Sequence, residues 1–197
     1  MHILTASSGN VLANNSRTIR GGRRCTWLSS SYMQVLRNQA MMSPYEKLLA
    51  ALLAANVDFA LIGGLACSLC GWTRATVDID LLVRRERGNI ERLLACLSAY
   101  GTGAAKELAP EDFTDEPGAI RVMEDFAIDI FVRIAGMSYD DLAASVIVTD
   151  VTVENGHLQV PHVNAHALIE IKSASVREQD RFDVAALRRI VAGERLT

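Results

Sequence analysis

The stretch from Phe59 to Val83 constrains the fold more than any other part of this 197-residue chain. Phe59-Ala60-Leu61-Ile62 is an apolar run of strand length, and Gly63-Gly64 closes it with a turn signal. From Gly64 to Leu69 apolar side chains face every direction and no breaker intervenes, so the sequence predicts a short buried helix ending near Gly71. A second strand follows over 77–83. In it Asp78 and Asp80 stand two residues apart, so strand alternation puts both carboxylates on one face, about 6.6 Å apart along the backbone, and turns Ile79, Leu81 and Val83 to the core.

Two like charges side by side raise one another's pKa unless a cation lies between them. Oxygen ligands of this kind suit Mg²⁺, which takes one or two protein carboxylates and completes its shell with water and substrate phosphates. Gly63 and Gly64 leave backbone N–H groups bare at the start of the next helix, where an anion is favoured. Phosphate on one side and a cation on the other is a layout for nucleotide chemistry. A third acid fits it: in Phe126-Ala127-Ile128-Asp129-Ile130-Phe131 the only charge is Asp129, and a lone carboxylate amid such neighbours needs a partner.

The Gly63-Gly64 turn, Arg74, Thr76 and the Asp78-Ile79-Asp80 pair resemble the signature of the nucleotidyltransferase superfamily of the DNA polymerase beta type. Within it the wording is similar to the small bacterial nucleotidyltransferases that include AbiEii-type toxins. On the C-terminal side Leu168-Ile169 and Lys172, followed by Arg177, Asp180 and Asp183, extend the likeness, which covers roughly residues 43–191. Gln179 stands where relatives carry a second Lys, and Cys70 where many carry His. The resemblance implies an α+β nucleotidyltransferase fold, a mixed β-sheet with helices packed on it plus C-terminal helices. It also implies that Asp78, Asp80 and Asp129 hold two Mg²⁺ ions, with Asp129 as general base. Gly63, Gly64, Arg74, Thr76, Lys172, Arg177 and Asp180 would then bind the NTP and its phosphates. An antitoxin partner is a further implication.

Composition bounds the rest. Half the residues are hydrophobic, enough for one domain with a real core, expected over 43–197. The net charge of -3 and pI near 5.8 provide no global field for nucleic acid, so an RNA partner would need a local patch. Four cysteines, no secretory signal and no apolar run near the roughly 20 residues of a membrane span make a reduced, cytoplasmic protein without a membrane partner the expectation. Residues 1–42, rich in Asn, Ser, Gly and Arg with a basic cluster over 17–24, read as a mobile tail, an upstream extension ahead of Met41 or Met42 or an RNA-touching arm, with a short helix over 27–36.

Elsewhere the pattern predicts a capped helix from Ser43 to about Asn56 and another through Ile90, Leu93, Leu94 and Leu97 that ends near Gly101. Strands over 119–124 and 126–131 pair through a tight connection at Glu124-Asp125. A helix starts at Ser138 with Asp141 in its capping box, strands over 147–153 and 158–160 flank Asn155-Gly156, Asn164 caps the Lys172 helix, and Asp180 opens the last. Cys67 and Cys70 read as core cysteines, because no second pair completes a zinc site. His162 and His166 lack the Glu a metalloprotease needs between them. Three functions fit the constellation: transfer of a nucleoside monophosphate from an NTP to a hydroxyl on RNA, protein or a small molecule, as in a toxin; modification of an antibiotic-like small molecule; or nucleotide binding without catalysis.

Overall fold

The computed structural model describes residues 2–4, 42–154 and 156–194, with only the backbone of 2–4. In chain order the strands are β1 (His2–Leu4), β2 (Phe59–Ile62), β3 (Asp78–Val83), β4 (Ile120–Met123), β5 (Ala127–Phe131), β6 (Arg133–Ile134), β7 (Met137–Ser138), β8 (Val146–Val153) and β9 (Gly156–Val163). The α-helices are α1 (Pro44–Ala54), α2 (Gly63–Leu69), α3 (Arg87–Ala99), α4 (Ala165–Ser173) and α5 (Glu178–Val191). The class is α+β with a mixed sheet, ordered β1-β4-β5-β3-β2-β9-β8, and β6 with β7 forms a separate ribbon.

Helix α1 starts where the sequence places it. Glu46 N–H donates to Ser43 Oγ at 3.3 Å and Ser43 N–H donates back to the Glu46 carboxylate at 2.7 Å, so two orphan donors are satisfied at once. Strand β2 ends in Gly63, whose φ of 65° lets the chain turn directly into α2. Beside it, β3 runs antiparallel to β2 and parallel to β5, with Asp80 level with Ile62 on one side and with Asp129 on the other. Leu81, Leu82 and Val83 are all fully buried although they alternate in direction, so the sheet is covered on both faces at this point. Each such side chain contributes about 2 kcal/mol by leaving water. Helix α3 packs against α1, while α2 packs against α4 and α4 against α5.

Several boundaries differ from those the sequence predicts. The hydrogen bonds expected of a capping box at Ser138 form, with Ser138 N–H donating to Asp141 at 2.8 Å, but Ser138 belongs to β7 and only a 3-10 turn, Ala143–Ser145, follows. The β6–β7 ribbon turns on Ala135 and Gly136, both at positive φ, which no glycine pair announces in the sequence. Asp180 does not open the last helix; α5 begins at Glu178 with Arg177 as its N-cap, and Asp180 lies in the first turn. Of residues 1–42, the backbone of 2–4 pairs in parallel with Ile120–Val122. The Arg17–Arg24 cluster, the expected helix over 27–36 and Asn155 lie outside the described residues. Asn164 caps α4 through Ala167 N–H at 3.0 Å, as expected.

Asn89 is a structural residue that the amphipathic pattern of α3 conceals. Fully buried, it accepts from Asp58 N–H at 2.7 Å and donates to the carbonyls of Asp58 at 2.9 Å and Arg84 at 2.8 Å, clamping the start of β2 to the exit of β3. Asn89→Ala leaves these backbone groups without that partner and is expected to cost about 2–4 kcal/mol. Asn89→Asp, which cannot donate, should recover little of it in urea denaturation, whereas recovery above half would disprove the clamp.

Candidate active site

Three acids share one face of two adjacent parallel strands. Asp78 and Asp80 alternate along β3, and Asp129 of β5 is level with Asp80. Asp80 is set against the glycine turn: a Cβ on Gly63 would overlap its carboxylate, and one on Gly64 would come within 2.8 Å of Thr76 Oγ1. Both glycines are therefore demanded by the side chains that crowd them, Gly63 by its positive φ as well. Thr76 Oγ1 donates to Asp78 Oδ1 at 2.8 Å and fixes that carboxylate. Burial, reinforced by Asp78 and Asp129, pushes the Asp80 carboxyl up to about 6, although Lys172 and the Gly64 N–H pull it down.

Asp129 is paired with a cation of the chain itself. Arg121, directly opposite on β4, donates Nε to Asp129 Oδ1 at 2.7 Å and an NH2 hydrogen to Oδ2 at 2.6 Å, a bidentate fork. Among the described residues there is no group of three or more His, Cys, Asp or Glu side chains that could hold a metal ion. Asp78 and Asp80, hard oxygen donors carrying a strained excess of negative charge, still fit a cation that fills its shell with water and phosphate oxygen.

Of the remaining residues named from the sequence, Arg74, Lys172 and Asp180 are drawn together around Asp183. Asp183 is fully buried and accepts from Trp72 Nε1 at 2.9 Å, Arg74 Nε at 3.0 Å, Gln179 Nε2 at 3.1 Å and Lys172 Nζ at 2.8 Å. Lys172, buried on α4, also bonds Asp180 at 2.7 Å. Burial works against ionisation of Asp183, yet the four donors outweigh it and hold the carboxyl down at about 2. Arg74 spends NH1 on the Ala75 carbonyl at 3.0 Å, so its guanidinium braces the 72–76 loop against α5. Arg177 is exposed at the head of α5 and makes no ion pair among the described residues. Arg121 and Trp72 escaped the sequence reading.

Cys67 is buried and its thiol is pushed up to about 12 by burial; Cys70 donates to the Val163 carbonyl at 3.7 Å. His162 is buried in β9 between Thr149 Oγ1 at 2.8 Å and the Val163 carbonyl at 2.9 Å, while His166 is exposed on α4. A scan against protein-family models finds no match, and a search of curated proteins finds none. No helix among the described residues is long and apolar enough to cross a membrane.

Two consequences can be measured. Ionised Asp80 is disfavoured in the fold by its burial and by Asp78 and Asp129. Between pH 4 and 6 the unfolded chain has lost a proton that the folded chain keeps, so stability falls as pH rises through that window. Asp80→Asn should remove the slope and raise stability at pH 7 by about 1–2 kcal/mol; an unchanged pH profile would count against the strain. Asp183 has the opposite sign: its contribution is complete above pH 4 and is lost as pH falls toward 2. Asp183→Asn is expected to cost about 3–5 kcal/mol at pH 7, since it breaks a buried ion cluster, and to leave a flatter acid limb in thermal denaturation.

Proposed function

We propose that this chain is a nucleotidyltransferase of the DNA polymerase beta type, similar to the AbiEii-type toxins, which moves a nucleoside monophosphate from an NTP to a hydroxyl acceptor. One observation carries the reading. The acid row on β3 and β5 abuts a glycine turn that has no room for a Cβ beside Asp80 or Thr76, so the turn, the aligned carboxylates and their unbalanced charge form a single unit. A solvated acidic face would need no glycine at Gly63 and would leave Asp80 at its ordinary pKa.

Asp78 and Asp80 would hold Mg²⁺, with Thr76 keeping Asp78 aimed. When bound, the cation neutralises the triphosphate and lowers the pKa of the attacking hydroxyl. Asp78 and Asp80 would be required ionised, which that cation favours over the raised carboxyl of the free site. Arg74, Lys172, Asp180 and Asp183 would keep the turn rigid from behind rather than touch the nucleotide. The acceptor would be RNA, protein or a small molecule, and an antitoxin would be the partner if the chain acts as a toxin.

Incubation of the full chain with each α-labelled NTP, Mg²⁺ and total RNA, cell protein or aminoglycosides tests this. Label is expected to pass to one acceptor class, and Asp78→Asn or Asp80→Asn should lower the rate by about 100-fold or more, some 2.7 kcal/mol of barrier. Binding of Mg²⁺–NTP without transfer to any acceptor would instead make the chain a nucleotide-binding module.

A further inference from the structure

Among the cations around the acid row, Arg121 differs from the rest. Lys172 spends its charge on Asp180 and Asp183, and Arg74 spends its own on Asp183 and the Ala75 carbonyl. Arg121 uses Nε and NH2 on Asp129, while its NH1 makes no hydrogen bond among the described residues. Its side chain is 31% exposed against 9% for the carboxylate it grips, so the fork covers Asp129 and keeps one edge open to solvent. The pairing is built into the sheet: Arg121 and Asp129 are direct cross-strand neighbours in β4 and β5, and their side chains must leave the sheet on the same face. Asp129 in turn stands level with Asp80, so the guanidinium lies at the end of the acid row and its charge reaches Asp78 and Asp80.

A guanidinium cannot be deprotonated in a protein, and its planar fork matches both oxygens of a carboxylate. Displacing it from a nearly buried acid would cost the ion pair and leave a charge to be re-solvated. A second divalent ion gains little from such an exchange, because the negative charge it would neutralise is already neutralised.

Resting on the reading of the acid row as a cation site, we propose that Arg121 permanently occupies the place on Asp129 where a second divalent ion would bind. The chain then loads a single cation, on Asp78 and Asp80, and Arg121 supplies the fixed positive charge at the other end, with NH1 available to an anionic oxygen of the substrate. Arg121 is thus a specificity-determining residue for the number of metal ions.

The test counts Mn²⁺ bound by the full chain, without nucleotide, from the loss of the free-ion paramagnetic resonance signal. Wild type is expected to bind one ion, Asp80→Asn none, Asp129→Asn still one, and Arg121→Met two, with folding of each variant checked by circular dichroism and thermal melting. Two ions on wild type, with one lost in Asp129→Asn, would overturn the inference, because Arg121 then yields to metal. So would a folded Arg121→Met that stays at one ion. If Arg121→Met fails to fold, Asp129→Asn decides the matter by itself. A wild-type count that Asp80→Asn leaves unchanged, or a count of zero, sinks instead the reading of the acid row as a cation site and the inference with it.

Discussion

The constraint on which the site depends is the seating of the Asp80 carboxylate against Gly63, where an added Cβ would overlap it. No side chain other than hydrogen leaves room for it, and the φ of 65° at Gly63 suits no other residue as well. From that contact much else follows. Helix α2 must leave β2 without a loop, β3 must lie beside β2 in the register that sets Asp80 level with Ile62, and Thr76 must pass over Gly64 on its way to Asp78. Arg74 and Asp183 then hold the 72–76 loop at the required distance.

Around the glycine turn, the described charges therefore fall into two balanced groups and one unbalanced group. Behind the turn, Asp180 and Asp183 face Lys172 and Arg74, a cluster in which every buried polar atom has a partner among the described residues. At the β4 edge Asp129 faces Arg121. Between them Asp78 and Asp80 have hydroxyl and amide donors but no cation within ion-pair distance among the described residues. Neighbouring cations thus stop short of neutralising the row, which concentrates the unmet charge on two residues rather than spreading it over three.

How much of this was legible depends on sequence distance. The strand-turn-helix-strand unit was readable because its glycines, Thr76 and the Asp pair lie within about twenty residues and constrain one another locally. Asp129 was readable as the one charge in an apolar strand. Arg121 was not, although the signal existed: a connection over Glu124 to Phe126 opposes Met123 to Ala127, and counting outward brings Arg121 opposite Asp129. Register, not composition, carried that information. The Arg74–Asp183 bond spans over a hundred residues and no local pattern announces it. Asn89 was hidden for another reason: a polar residue on an amphipathic helix reads as solvated, and only the two chain ends it ties show why it is buried.

The order of the strands also bears on how the molecule comes into being. Leu61 lies beside His162, and the acid row joins β3 to β5 across an intervening helix and two 3-10 turns, so the central sheet is knitted from partners far apart along the chain. Closing such long loops precedes any reward from pairing, which places this topology among slow folders. During synthesis, β2 waits for β9 to emerge before its second edge is covered, and the acid row gains Asp129 only once β5 has left the ribosome. A nascent chain consequently carries β2 and β3 through a long stretch of elongation before the acid row they border is complete.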